Sequence, residues 1–395
     1  MNAVDPIPGE DWHETWPASD DAPGGVRFLA FNTVAEIAAY GPGDAVAAAL
    51  DEAVALCRVY ERLLSRTLPH SDVARLNDAG GVAVEVDART FALMEAALGY
   101  CAASEGAFDV TVGPAVRLWD FHAGVEPEPA ALAEAVRHVD WRALELWHAE
   151  AAETRRASGR GRGAAEADAA GKTGARARGA DAGATPACDA DARDGGAGTE
   201  ADAAACAPTH AESPCAQPGA GRFFARLADP RAAVDVGGIA KGWIADELTA
   251  LLAARGLAGF VVNLGGNVAV GGAKPDGAPW RVGIRDPRDP HDPAALLGAV
   301  PLASGSAVTS GVYERSFTTA DGRFCHHILD PRTGRPAATD VAGVTVVTDR
   351  SLDAEGFSTT LLALGLERGL TLARRHAEIR QAFFVDFDGQ VTPAR

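Results

Sequence analysis

From residue 151 to residue 222 the chain contains no Val, Ile, Leu, Met, Phe, Trp or Tyr. Ordering a residue costs about 1–2 kcal/mol of backbone entropy, and a stretch with no large apolar side chain has nothing to bury against that cost. Residues 151–220 therefore read as a low-complexity, disordered insertion. Its charges alternate in sign, so it is neither a simple acidic nor a simple basic arm. Residues 1–25 are polar and rich in Pro and Asp, and read as a loose tail. What can fold is then one discontinuous domain, residues 26–150 joined to 221–395.

Within those limits the periodicities alternate between helix and strand. Leu50, Val54, Cys57, Tyr60, Leu63 and Leu64 form an apolar stripe that predicts a helix over 43–65. Val82, Val84 and Val86 alternate as a strand, and Asp87 is placed to cap the helix that follows. Val26–Ile37 reads as a strand, or as two with a turn near Asn32. Trp141–Trp147 reads as a strand or a short helix. Further strands are expected over 260–262, 268–270, 280–284, 296–302, 341–348 and 381–387, with a hairpin turn at Asp321-Gly322. A helix opening at Ser351 should end near Gly365, with a second over 367–376. The expected class is α+β, with mixed, largely antiparallel sheets and helices packed on them.

Charge and composition remove several functions. A net charge of −18 leaves no basic face for a nucleic acid. No window is long and apolar enough to span a membrane. The N-terminus lacks the apolar core of a signal peptide, so a cytoplasmic location is expected. The six cysteines form no CxxC pair, which fits free thiols in a reducing compartment.

The segment DVGGIAKG, residues 235–242, carries the first chemical signal. An acid, two glycines and Lys241 stand at the mouth of a predicted helix, and Gly265-Gly266 close the strand after it. Glycines there let backbone N–H groups approach an anion, above all a phosphate, although the spacing is neither a P-loop nor GxGxxG. A second signal is HHILDPRTGRP, residues 326–336, where an imidazole could move a proton near neutral pH. Neighbouring residues on a strand face opposite ways, so at most one of the two histidines can face a site. In a third, Glu355 and Thr359 stand four apart on a predicted helix, sharing a face with two hard oxygen ligands suited to Mg²⁺; the same cluster could instead cap the helix. Ala307-Val308-Thr309-Ser310-Gly311 places two hydroxyls before a glycine and could be only a turn.

The co-linear set GAFDVTVGP (106–114), DVGGIAKG, VNLGGN (262–267), AVTSGVYER (307–315), HHILDPRTGRP and EGFSTTLLALG (355–365) closely resembles the ApbE family, the FAD:protein FMN transferases. PHSDVARLN (69–77) resembles that family's early helix motif. The resemblance covers the chain outside the tail and the insertion, and implies an ApbE-like, T-fold-type architecture. It implies an enzyme that takes FAD as substrate with Mg²⁺, releases AMP, and joins FMN through a phosphoester to a Ser or Thr of a target protein. By position, Asp235 and Lys241 match residues that contact FAD, and Phe108, Asp109 and Val110 match another flavin-contacting segment. Ile328 would lie beside the flavin. His327 matches the base that takes the proton from the target hydroxyl. The metal would be held by the Gly238 carbonyl, Glu355 and Thr359, with Ser358 adjacent.

Three positions depart from the family pattern. Phe31-Asn32-Thr33 stands where the family has Met-Gly-Thr, and Thr67 stands where a tyrosine stacks on FAD. Glu355 replaces an aspartate and is one methylene longer. The same site with water in place of the acceptor would be an FAD pyrophosphatase giving FMN and AMP. A site weakened at these three positions would be a non-catalytic flavin-binding protein.

Overall fold

The computed structural model describes residue 7 and residues 9–149 and 221–394. The insertion expected over 151–220 and the start of the tail lie outside the described residues.

Strands β1 (His13–Trp16), β2 (Gly24–Ala30) and β3 (Thr33–Tyr40) open the fold, followed by the long helix α1 (Gly43–Leu64), α2 (Asp72–Asp78), β4 (Val84–Val86) and α3 (Ala88–Ala103). Two short helices, α4 (Gly113–Val116) and α5 (Pro129–Val136), lead into β5 (Leu144–Ala149). After the undescribed segment come β6 (Arg222–Leu227), α6 (Ala240–Ala254), β7 (Gly259–Leu264), β8 (Asn267–Gly271), β9 (Trp280–Arg285), β10 (Leu296–Leu302) and β11 (Gly305–Gly311). The chain ends with β12 (Ser316–Thr318), β13 (Phe324–His326), β14 (Gly343–Thr348), helix α7 (Ser351–Arg375), β15 (Gln381–Val385) and β16 (Val391–Pro393).

Nine of these strands form one sheet in the order β1-β2-β3-β7-β8-β11-β14-β15-β16. Every neighbouring pair in it is antiparallel, so the α+β class holds. One face is covered by helices. The α1 stripe buries Leu50, Cys57, Tyr60 and Leu64 with Phe28 and Ile37 of the sheet and Leu248 and Leu252 of α6. Leu361 and Leu362 of α7 pack on Val344 and Val346. The other face takes the β9–β10 ribbon, where Trp280, Val282 and Val300 meet Val270 and Val347. Strand β14 is thus buried on both sides, which explains its unbroken apolar and β-branched sequence.

Two expectations change. The tail is ordered from His13, because β1 adds to the sheet edge beside β2. Trp16 lies over Gly25, where a Cβ would come within 2.1 Å of the ring. Residues 307–311 are not a turn but the last five residues of strand β11, which lies between β8 and β14; the β-branched Val308 and Thr309 prefer that setting. The ambiguous stretch at 141–147 is both things in turn, a single 3₁₀ turn at Trp141–Ala143 and then β5. The hairpin at Phe31-Asn32 survives the loss of the family glycine. Both residues take positive φ, 54° and 58°, as a two-residue hairpin loop of type I′ requires. The Phe31 amide donates to Glu61 Oε1 at 2.9 Å. Helix α7 breaks at Gly365 (φ 74°), and the Leu366 amide there donates to Asp340 Oδ1.

Ala149 pairs directly with Arg222 across β5 and β6, so the chain leaves and re-enters the fold at one rung. Deleting 151–220 and introducing Glu150→Asn would leave Asn-Gly between these partners, the preferred pair for a two-residue hairpin. The melting temperature of that variant is expected to equal or exceed that of the full chain, since each halving of a loop lowers its closure cost by about 0.6 kcal/mol. A fall of more than about 2 °C, worth roughly 1 kcal/mol or more in a domain of this size, would show that the segment supplies contacts of its own.

Candidate active site

The site forms where the entrance of α6 meets the first turns of α7. Gly242 makes the approach possible: a Cβ there would lie 2.7 Å from Ser351 O and 2.9 Å from Leu352 Cα. With the helices this close, Lys241 Nζ donates to Glu355 Oε1 at 2.6 Å. Asn267, at the start of β8, donates from Nδ2 to Glu355 Oε2 at 2.6 Å. The orientation of that amide is set by Ser351, whose hydroxyl donates to Asn267 Oδ1 at 2.8 Å. The Glu355 carboxylate is therefore held from two sides although the residue is only 4% exposed. Thr359 lies one turn further along α7, and Ser310 of β11 reaches both it (3.2 Å) and Ser358 (2.9 Å).

The two histidines differ in setting: His326 ends β13 and His327 follows in the bend after it. His326 is buried, with Nε2 donating to the Ala337 carbonyl at 3.2 Å. His327 Nδ1 donates to the Arg315 carbonyl at 3.3 Å, which leaves Nε2 as the ring's acceptor. Burial, then the charge of Arg315 and, more weakly, that of Lys241, lower the imidazole to a pKa of about 3. Its ring is therefore neutral at pH 7, and it stands within electrostatic reach of the α6 entrance.

Asp235 receives the Gly237 amide at 2.9 Å and faces Arg66 Nη1 at 3.7 Å. Arg315 also lies within electrostatic reach of Asp235 and Arg66. Arg66 and Arg315 thus gather at Asp235, while Arg315 and the Glu355-paired Lys241 both act on the neutral His327. Sequence reading missed Arg66 and gave no role to Arg315, the last residue of AVTSGVYER. Arg66 is the immediate neighbour of Thr67, which is exposed and spends its hydroxyl on Ser65 Oγ at 3.1 Å. Asn267, inside VNLGGN, and Ser310, inside AVTSGVYER, were visible as motif members without a role.

Other expected site residues are held within the fold. Asp109 is 8% exposed and accepts from the Thr111 amide and hydroxyl, both at 2.7 Å, and from the Trp141 amide at 3.1 Å; burial raises its pKa. Val110 is fully buried, and its carbonyl accepts from the Asp235 amide at 2.8 Å. Val110 thus ties down the Asp235 loop, while Asp109 ties its own segment to Trp141. Ile328 is 8% exposed and packs into the core under α7. Ser358 is fully buried and its oxygen is shared between Ser310 and the Glu355 carbonyl, so it braces the helix. Phe108 sets its ring edge against Gly238 (3.1 Å from a built Cβ) and so shapes the loop that carries the Gly238 carbonyl. Gly265 (φ 63°) carries no Cβ because Thr33 Oγ1 would lie 2.3 Å from one. That packing ties the glycine turn to the β2–β3 hairpin beside Phe31, while Gly266 stays open.

A model of the ApbE family matches residues 31–173 and 197–384. A FAD:protein FMN transferase of Treponema pallidum is 32% identical over 376 residues, covering 92% of this chain and 84% of its own length. Another, from Klebsiella pneumoniae, is 39% identical over 157 residues, 40% of this chain and 47% of its own. Among solved structures, the flavinyl transferase ApbE of Pseudomonas stutzeri superposes with a TM-score of 0.65 at 25% identity, covering 94% of this chain and 95% of its own. The ApbE protein of Thermotoga maritima gives a TM-score of 0.68 at 23% identity, with 94% and 96% covered, and so shares the fold.

Proposed function

The chain belongs to the ApbE family and is a transferase, and from that premise we propose that it moves FMN from FAD to a Ser or Thr hydroxyl of an acceptor protein, with Mg²⁺, releasing AMP. The observation that carries this reading is the unprotonated Nε2 of His327, whose ring Nδ1 is held by the Arg315 carbonyl, within electrostatic reach of Arg315 and Lys241. A base next to a cluster of cations suits attack on a pyrophosphate.

In the reaction, the acceptor oxygen forms a bond to the FMN phosphorus as its proton passes to His327 Nε2. The bond from that phosphorus to the bridging oxygen breaks, and the oxygen leaves with AMP. Lys241 and the arginines stabilise the negative charge that grows on the departing phosphate. The Arg315 carbonyl keeps the His327 proton on Nδ1, so that the other nitrogen always faces the hydroxyl.

The residues present fit Mg²⁺. Among the described residues there is no cluster of three or more His, Cys, Asp or Glu. Mg²⁺ does not need one, because it binds through one or two carboxylates and completes its shell with phosphate and water. Glu355, Thr359 and the Gly238 carbonyl would hold it, all hard oxygen donors. When bound, the ion supplies further charge stabilisation to the pyrophosphate.

Incubating the protein with FAD, Mg²⁺ and a Ser/Thr-bearing acceptor peptide is expected to release AMP and add one FMN to the peptide by mass. AMP without a peptide adduct would mark a pyrophosphatase. Bound FAD with neither product would mark a flavin-binding protein, with the lost aromatic surface at Thr67 the first residue to restore. Among the described residues no helix is long and apolar enough to cross a membrane.

A further inference from the structure

Glu355 has one ion-pair partner among the described residues, Lys241. Asn267 takes the other carboxylate oxygen, but as a neutral amide locked in place by Ser351. Arg66 and the charge of Arg315 are directed to Asp235 instead. The compensation of this buried carboxylate therefore rests on a single ammonium. The two partners are not equally fixed: the Glu355 side chain is 6% exposed and that of Lys241 23%. Lysine carries its charge on a flexible four-carbon stem, and the electrostatic influence of Lys241 extends to His327. If one partner moves, it is Lys241.

We propose that Lys241 is a guard cation that neutralises Glu355 until the pyrophosphate of FAD draws it away, so that the divalent ion and FAD enter together and the ion alone binds poorly. The charges favour this order. A divalent ion arriving alone would set two cations against one carboxylate. Arriving with the two negative charges of a pyrophosphate diester, it leaves Lys241 a new anionic partner and Glu355 a new cationic one. Coupling of this kind is reciprocal, so FAD must tighten the ion by the factor with which the ion tightens FAD. The inference rests on the proposed metal reading and adds to it what happens before the nucleotide arrives.

The test uses Mn²⁺ as the probe, with free ion followed by electron paramagnetic resonance against matched solutions without protein. Wild type is expected to bind Mn²⁺ weakly alone and tightly with FAD. Lys241→Met, which leaves Glu355 buried without a counter-charge, is expected to bind Mn²⁺ without FAD at least about tenfold more tightly than wild type does. Lys241→Arg keeps the charge and should stay weak. If the Met variant does not fold, Lys241→Gln removes the charge while keeping a polar group near Oε1. Equal Mn²⁺ affinity of wild type and the neutral variants without FAD, with tight binding by wild type in its presence, would overturn the guard and leave the metal reading standing. No binding by wild type even with FAD would overturn both.

Discussion

Replacing His327 by Ala is expected to slow FMN transfer by on the order of 10²–10⁴-fold, the usual contribution of a positioned general base, while FAD still binds. The ring sits at the end of a short hairpin, not in the core, so the fold should tolerate its loss. The pH dependence is the sharper part of the expectation. In the free protein, burial and the charge of Arg315 disfavour the imidazolium and hold the pKa far below that of an ordinary histidine. The base is then available throughout the neutral range, and an acid limb of kcat/KM due to His327 should lie well below pH 6. A bound pyrophosphate brings negative charge that offsets Arg315 and Lys241, which raises the pKa in the complex. Because kcat/KM reports the free protein and kcat the complex, the acid limb of kcat should lie at the higher pH. Coincident limbs near pH 6.5 would mean that His327 is solvated and unperturbed, and would take the base away from it. A low pKa has a cost of its own, since a weaker base pulls less on the hydroxyl proton, and the shift in the complex recovers part of that strength.

How much of this was legible in the sequence follows from the kind of signal each residue leaves. The α1 stripe, the Asp87 cap, the strand–glycine–strand turn at Gly265-Gly266 and the helix break at Gly365 are local, and each appears in the structure where its spacing places it. Strand β1 left no such trace: His13-Glu14-Thr15-Trp16 has no apolar alternation, and it is a strand only because β2 offers it an edge. Motif positions named segments that the fold brings together but could not say how their side chains are held. Asp109 looks like a ligand-binding acid until its three donors are counted. Arg66 and Arg315 sit in loops where an arginine is unremarkable, and their meaning lies in Asp235, far away in sequence. Asn267 and Glu355, 88 positions apart, meet only because β8 and α7 flank β11 and α6.

Gly242→Val is expected to be the most damaging single change away from the reacting groups. A side chain at this position would meet the Ser351 carbonyl oxygen and the Glu355 Cβ, each 2.7 Å from the Cβ, and the Leu352 Cα at 2.9 Å. Two of these belong to the backbone of α7 and cannot rotate aside, so the helices must part. Overpacking of this kind costs about 1–3 kcal/mol, while replacing a helical glycine recovers at most about 1 kcal/mol of propensity. The clash should therefore win, more clearly for Val than for Ala. Gly99 of α3 is the contrast, since a Cβ there meets nothing within 4 Å. With only the propensity gain in play, Gly99→Ala should raise stability by about 0.5–1 kcal/mol. The functional loss at Gly242 should exceed the loss of stability, because the contact it permits sets the 2.6 Å approach of Lys241 to Glu355. A displacement of about 1 Å in a positioned group can cost on the order of 10²-fold in rate. Chemical denaturation and transfer assays run on the same preparations would separate the two. A variant that loses stability but keeps full activity at a temperature where it remains folded would show that the site does not depend on the spacing of α6 and α7.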